Sequence, residues 1–360
     1  MKRKFEAKLL YHQEQFPIFQ NRMYDTEAEA RACPRGDVQL VEDQRTGLVY
    51  NAAFQSELMT YDANYQNEQA VSPLFQEHLE YVSNIIDRCL GRKSIVEVGC
   101  GKGFFLEMLL KKEFDITGFD PTYEGTNPKV MKHYFEPGVG TKANGLVLRH
   151  VLEHIPDPFD FLLQLKEANG GHGKIYIEVP CFDWICKHRA WFDIFYEHVN
   201  YFRVSDFHRM FGTVIESGHL FGGQYLYVVA ELATLRKPEI NHSDQVVFPR
   251  DFTYGVSEAV QTKLGLVKSS QTVIWGGASK GVIFALLKAR AGQSVNTVID
   301  INPAKQGKYL PATGLLVQSP VEALATLPTA STIYIMNSNY SEEIKKMSNN
   351  TFNYVEVDHE

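Results

Sequence analysis

Ser94-Ile-Val-Glu97-Val-Gly99-Cys-Gly101-Lys-Gly103-Phe104 decides how the chain is read. A β-prone apolar run enters a turn holding three alternate glycines, and Phe104 to Lys111 carries helical periodicity. Glycines at these positions allow close backbone approach to a ligand and dihedrals that side chains would oppose. The spacing is GxGxG, not the GxGxxG of the dinucleotide fingerprint, so a dehydrogenase and a purely structural turn both stay open on the motif alone.

Outward from this turn, strand-like and helical segments alternate. Asp115-Ile-Thr-Gly-Phe119, Gly145-Leu-Val-Leu148 and Lys174-Ile-Tyr-Ile-Glu-Val179 read as strands, and Phe159 to Ala168 as a helix. Before the turn, Leu74, Phe75, His78, Leu79, Val82, Ile85 and Ile86 recur at helical spacing behind a Ser72-Pro73 start signal. Such alternation predicts a parallel sheet covered by helices on both faces. Thr213 to Ser217 and Gln224 to Ala230 flank Gly222-Gly223, a tight-turn pair that predicts an antiparallel hairpin at the end of that sheet. Asp120 follows the strand ending at Phe119, where an acid can hold two ribose hydroxyls or serve only as a turn residue.

Glu97, the glycines, Asp120 and the segment Leu148-Arg149-His150-Val151-Leu-Glu153-His154-Ile-Pro-Asp157 together resemble the class I S-adenosylmethionine methyltransferases over about residues 75–235. The resemblance implies an α/β fold with a Rossmann-like seven-stranded core and S-adenosylmethionine as cofactor. It places Gly99, Gly101 and Gly103 under the methionine and ribose, Asp120 on the ribose hydroxyls, and Arg149, His150 and Val151 beside adenine.

The ends of the chain divide separately. Residues 1–75 look irregular and polar apart from a hairpin, Asp37 to Asp43 and Leu48 to Tyr50 around Gly47, and form a small N-terminal α+β cap. Residues 76–235 hold the methyltransferase core. After the polar stretch at Arg236-Lys-Pro238, residues 236–360 begin a second α/β domain. Its strand candidates are Gln271 to Trp275, Ser294 to Asp300, Leu315 to Val317 and Thr332 to Met336.

Two further stretches bear on the substrate. Asp193-Ile-Phe195-Tyr196-Glu197-His198-Val-Asn-Tyr201-Phe202 sets a carboxylate beside an imidazole among aromatics, a crowded setting for a general base. A structural strand with Glu197 capping a backbone amide is the plainer alternative. Gly276-Gly-Ala-Ser-Lys280-Gly281 is a second glycine-rich turn, suited to a diphosphate, to NAD or to simple strand-to-helix closure. The first stretch is similar to the Tyr-x-Glu-His signature of the sugar C-methyltransferases, which act on nucleotide-linked keto-deoxysugars. Trp275 to Gly281, Asn302 to Pro311 and Asn339-Tyr340-Ser-Glu-Glu-Ile344 extend that likeness.

The likeness implies His198 as base with Glu197 assisting, His154 at the enolate oxygen, and Tyr65, Lys280, Lys305, Asn339 and Tyr340 around a nucleotide diphosphate sugar. An O- or N-methyltransferase of another small phosphorylated metabolite, or a non-catalytic binding protein of this fold, are the rival readings. The chain departs from the family twice. The family's N-terminal zinc module needs several cysteines, yet only Cys33 precedes Cys89. The signature tyrosine falls at Phe195, with Tyr196 alongside, so the resemblance implies that its catalytic hydroxyl has moved to Tyr196 or is lost.

His150-Val-Leu-Glu153-His154 also matches the HxxEH spacing of a zinc peptidase family. That site needs a helix throughout, whereas His150 is expected to end a strand and Pro156 and Pro158 follow. No metal is expected.

The 360 residues are 44% hydrophobic and 22% charged with a net charge of −7, which excludes a disordered chain and a broad nucleic-acid-binding surface. No apolar run reaches membrane-spanning length, and MKRKFEAKLL is too charged for a signal peptide. With five cysteines and no disulfide framework, a reduced cytoplasmic location is expected, with a monomer as the default.

Overall fold

The computed structural model describes residues 7–59, 71–252 and 271–358, arranged around three sheets. Strands β1 (Ala7–Pro17), β2 (Arg35–Asp43) and β3 (Val49–Asn51) form the cap. Gly47 turns between β2 and β3 with φ 71°, and Asp43 Oδ1 accepts from the Arg45 and Thr46 amides at 2.8 Å, so the hairpin forms where its turn chemistry put it. β1 was not expected. Most of its residues are exposed, and it is held by antiparallel pairing to β2 across two register shifts, not by an apolar pattern.

In the core, helix α1 (Pro73–Leu90) starts after Ser72 with proline in its first turn. It buries Phe75, Leu79, Val82, Ile85 and Ile86 on one face and ends at Gly91, φ 81°. Strand β4 (Ile95–Val98) is buried along its whole length and feeds the glycine turn and helix α2 (Phe104–Lys111). Strands β5 (Ile116–Phe119), β6 (Val130–Met131) and β7 (Gly145–Arg149), helix α3 (Pro158–Ala168) and strand β8 (Lys174–Pro180) follow. The short β9 (Asn200–Tyr201) leaves this unit and pairs with β3, completing the cap sheet in the order β1-β2-β3-β9. The segment bearing Glu197 and His198 is thereby stitched to the cap.

β10 (Val214–Leu220) and β11 (Tyr225–Glu231) close the core sheet, whose order is β10-β11-β8-β7-β4-β5-β6. The pairings β10 to β11 and β11 to β8 are antiparallel and the rest parallel, the layout expected from the alternation and from Gly222 (φ 65°) and Gly223 (φ 87°). This is the Rossmann-like α/β core of class I methyltransferases.

The C-terminal α/β domain is an all-parallel sheet of β12 (Thr272–Trp275), β13 (Thr297–Ile299), β14 (Val317–Gln318), β15 (Thr332–Ile335) and β16 (Asn353–Glu356), ordered β14-β13-β12-β15-β16. Helix α4 (Lys280–Arg290) follows β12 and packs onto the core, stacking Phe284 on Trp191 at 5.5 Å. No helix among the described residues is long and apolar enough to cross a membrane.

Candidate functional site

One cavity of about 390 Å³ runs between the core and the C-terminal domain, with Asn21 of the cap at its wall. The turn after β4 forms one end. Gly99, Gly101 and Gly103 take φ of 72°, 54° and 80°, the left-handed region that favours glycine. A Cβ on Gly99 would lie 2.6 Å from Val151 Cγ2, so Val151 presses the turn into place from behind. Asp120, at the tip of β5, accepts from the Gly101 amide at 2.7 Å and from both the amide and hydroxyl of Thr122.

Glu97, next to last in β4, is almost fully buried, and its Oε2 has no hydrogen-bond partner. Burial pushes its pKa up to about 8 despite Arg149, with Asp120 adding to the rise. Glu97, Gly99 and Gly101 line the cavity and fit the amino-acid and ribose ends of S-adenosylmethionine, whereas Asp120 stands behind the turn with both carboxylate oxygens tied to Gly101 and Thr122.

Arg149 and His150 line the same cavity, anchored by a buried carboxylate that sequence reasoning missed. Glu178 on β8 lies 3.2 Å from Arg149 Nε and from His150 Nε2, 2.8 Å from His78 Nε2, and accepts from Tyr176 at 2.8 Å. Burial alone would raise its pKa, but Arg149 and the two histidines hold it well below the usual range. His150 shifts the other way. Burial acts to lower it, yet Glu153 and Glu178 carry it up to about 9, so it is a cation at neutral pH. The only advance signal for Glu178 was a lone acid in an otherwise apolar strand.

The aromatic segment divides between two destinations. Phe195 and His198 face the cavity, with the His198 ring edge-on to Phe195 and to His154 at 4.9 Å each. His198 Nδ1 has no partner, and burial together with His154 lowers the pKa to about 3, leaving a neutral imidazole. Glu197 turns away. Its Oε1 accepts from the Gln20 amide of the cap at 3.1 Å, and its carbonyl accepts from His154 Nδ1 at 3.0 Å. The carboxylate grouped with His198 is instead Glu153.

Tyr196 is a correction to its expected catalytic role. Its hydroxyl accepts from the Gln55 amide at 3.0 Å, and its ring packs on Phe54 and beside Gly36, where a Cβ would meet it at 2.3 Å. The chain bends here outside any strand, so Tyr196 and Glu197 both point into the cap while Phe195 and His198 on either side face the cavity.

At the far end, Lys280, Lys305 and Tyr340 line the cavity. Lys280 Nζ lies 3.2 Å from Asp193 and 2.9 Å from Gln224 Oε1, over the Trp184 ring. Lys305 pairs with Asp300 at 3.2 Å. Asn339 does not line the cavity. It donates to the Phe221 carbonyl at 3.0 Å and buttresses the Gly222 turn, while Asn337 takes the cavity position. Tyr65 lies outside the described residues.

A profile described as a methyltransferase domain matches residues 69–214. The chain is 22% identical over 310 residues to the C-methyltransferase NovU of Streptomyces niveus, covering 74% of this chain and 73% of that one. Among solved structures it is similar to the Burkholderia thailandensis 1,6-didemethyltoxoflavin-N1-methyltransferase, at 13% identity, 51% and 95% coverage and a TM-score of 0.33. It is likewise similar to a SAM-dependent methyltransferase from Archaeoglobus fulgidus, at 17% identity, 46% and 100% coverage and a TM-score of 0.34. With the profile match, the core fold and the glycine cradle, the chain is an S-adenosylmethionine-dependent methyltransferase with S-adenosylmethionine as its cofactor.

Proposed function

We propose that the chain is a C-methyltransferase of a nucleotide-activated keto-deoxysugar. The observation that carries this reading is the position of His198, a half-buried imidazole whose buried Nδ1 is bare, in a cavity shared by the cofactor turn and the second glycine-rich turn. NovU, a relative over three quarters of the chain, is itself named a C-methyltransferase.

A C4 ketone acidifies the hydrogen on C3, and His198 holds an unprotonated ring nitrogen to receive it; burial and His154 weaken that nitrogen as a base, and Glu153 opposes them. Glu153 supplies the charge that favours the imidazolium as the proton arrives. His154 has committed Nδ1 to the Glu197 carbonyl, so it can donate to the enolate oxygen through Nε2 only as an imidazolium. When bound, S-adenosylmethionine supplies an electrophilic methyl group for the carbanion. The chain contributes alignment and a dry, charge-lined cleft.

Lys280 and Lys305 line the cavity and are the cations that a diphosphate would meet there. Both lysines already have carboxylate partners, so they act as components of charge pairs. Phe195 favours a second reading, transfer to oxygen or nitrogen of another phosphorylated metabolite, because no hydroxyl stands at the signature tyrosine's place.

His198→Ala should keep calorimetric binding of S-adenosylmethionine and lose about 10²–10⁴-fold in turnover on a nucleotide keto-sugar panel read by mass. An unchanged rate removes the base. Exchange of the C3 hydrogen for deuterium without cofactor separates carbon from oxygen transfer.

A further inference from the structure

Glu153 and His154 come from the short turn after β7, and His198 from the stretch before β9, more than forty positions later. One ligating atom from each lies within 4.8 Å of the other two, and all three side chains line the cavity. We infer that these residues bind one divalent transition-metal ion of the zinc type, leaving an open coordination position toward the cavity.

The geometry leaves three lone-pair donors unused. Glu153 is 1% exposed, yet its Oε2 has no hydrogen-bond partner. His198 Nδ1 is likewise buried and unpartnered. The Glu197 carbonyl can only accept, so His154 Nδ1 carries the hydrogen and its Nε2 holds the lone pair. Burying a bare carboxylate oxygen and a bare ring nitrogen costs about 1–3 kcal/mol each. A single cation satisfies them together.

Supporting contacts of the kind that orient metal ligands are also present. Glu153 Oε1 lies 3.4 Å from His150 Nδ1, and His150 is itself held against Glu178. A carbonyl behind one ligating histidine and an imidazole behind the ligating carboxylate fix both ligands. Two imidazoles and a carboxylate suit zinc and its neighbours over magnesium or calcium. Tetrahedral bonds of ~2.0–2.2 Å place ligand atoms roughly 3.5 Å apart, so closure by about 1.3 Å at most from the 4.8 Å limit completes the site.

Occupancy has a consequence for the reading above, on which the site itself does not rest. A cation on His198 takes the lone pair a base needs, so the loaded chain cannot abstract a proton there. The ion is thus an inhibitor of proton transfer at His198, and removing it restores that step.

The test uses the full chain after chelator treatment, titrated with Co²⁺ and separately dialysed against Zn²⁺ with metal analysis. One ion per chain and intense d–d bands of a four- or five-coordinate nitrogen and oxygen site are expected. E153Q, H154A and H198A should each weaken binding at least about tenfold, with circular dichroism confirming the fold, while H242A at an exposed histidine leaves it unchanged. No stoichiometric ion, an aquo-cobalt spectrum, or equal affinity in all three variants overturns the site. If those variants do not fold, the wild-type cobalt spectrum decides alone. Turnover by the metal-stripped chain tests the methyltransferase reading by itself, so a blank titration leaves that reading standing.

Discussion

The chain contains two glycine-rich turns built alike and equipped differently. After β4, the Gly101 amide donates to Asp120 Oδ2 at 2.7 Å, and after β12 the Gly277 amide donates to Asp300 Oδ2 at 2.8 Å. In both, an aspartate at the tip of the adjacent parallel strand ties down the turn that opens a helix. The first turn has three glycines with positive φ. The second has Gly276 and a strained Ser279 at φ 43°, held by the Gln20 carbonyl and Asn21 of the cap. Asp120 is partnered by amides and a hydroxyl, whereas Asp300 carries Lys305. The same backbone solution thus serves a positively charged cofactor in one domain, and in the other a lysine-bearing pocket that we assign to an anionic ligand.

Five substitutions probe this comparison, the largest effect first. Gly281→Ala sets a Cβ 1.9 Å from the Gly276 carbonyl oxygen, a backbone atom that cannot step aside. We expect a loss of about 3 kcal/mol or more in the C-terminal domain. Gly101→Ala, with nothing within 4 Å and only its φ of 54° to strain, should cost roughly 1 kcal/mol. Scanning calorimetry compares them, and equal costs would mean the turns are not built as described.

Asp120→Asn comes next. Losing a charge-assisted bond of about 1.5–3 kcal/mol should weaken S-adenosylmethionine about 10- to 100-fold by titration calorimetry. Asp300→Asn should leave that affinity alone and weaken uridine or thymidine diphosphate instead. A cofactor effect from Asp300→Asn would collapse the division of labour.

The smallest effect is Lys288→Met. Lys288 is buried on α4 against Phe284 and Tyr334, and burial lowers its pKa to about 8. Removing that charge should stabilise the C-terminal domain by about 1 kcal/mol at neutral pH despite the lost Gln293 bond, read as a higher melting temperature.

Much of this architecture was readable in the chain. Periodicity and punctuation located α1, the turn after β4 and the Gly222-Gly223 hairpin, because each depends on local preferences of a few consecutive residues. The strand β1 escaped, since pairing and not an apolar pattern holds it. So did the two-residue strand β6, too short for any periodicity.

In the site the division falls along the same line. Residue type and spacing were enough to nominate Glu97, the glycines, Asp120 and His198, all of which line the cavity or tie its turn together. They could not say that Glu197 faces the cap, that Tyr196 leaves the cavity to Phe195, or that Asn339 yields to Asn337. Nor could they pair Glu153 and His154 with His198, because HxxEH spacing directs attention to His150, which Glu178 has already claimed.

The sequence by itself determined the order of elements, the cofactor turn and the chemical types available, since these follow from backbone preference and side-chain chemistry. Only the tertiary structure decided which carboxylate meets which imidazole. β9 crosses to the cap, Glu178 gathers a charge cluster from α1 and β7, and long-range packing alone brings those groups out of water and within reach of one another.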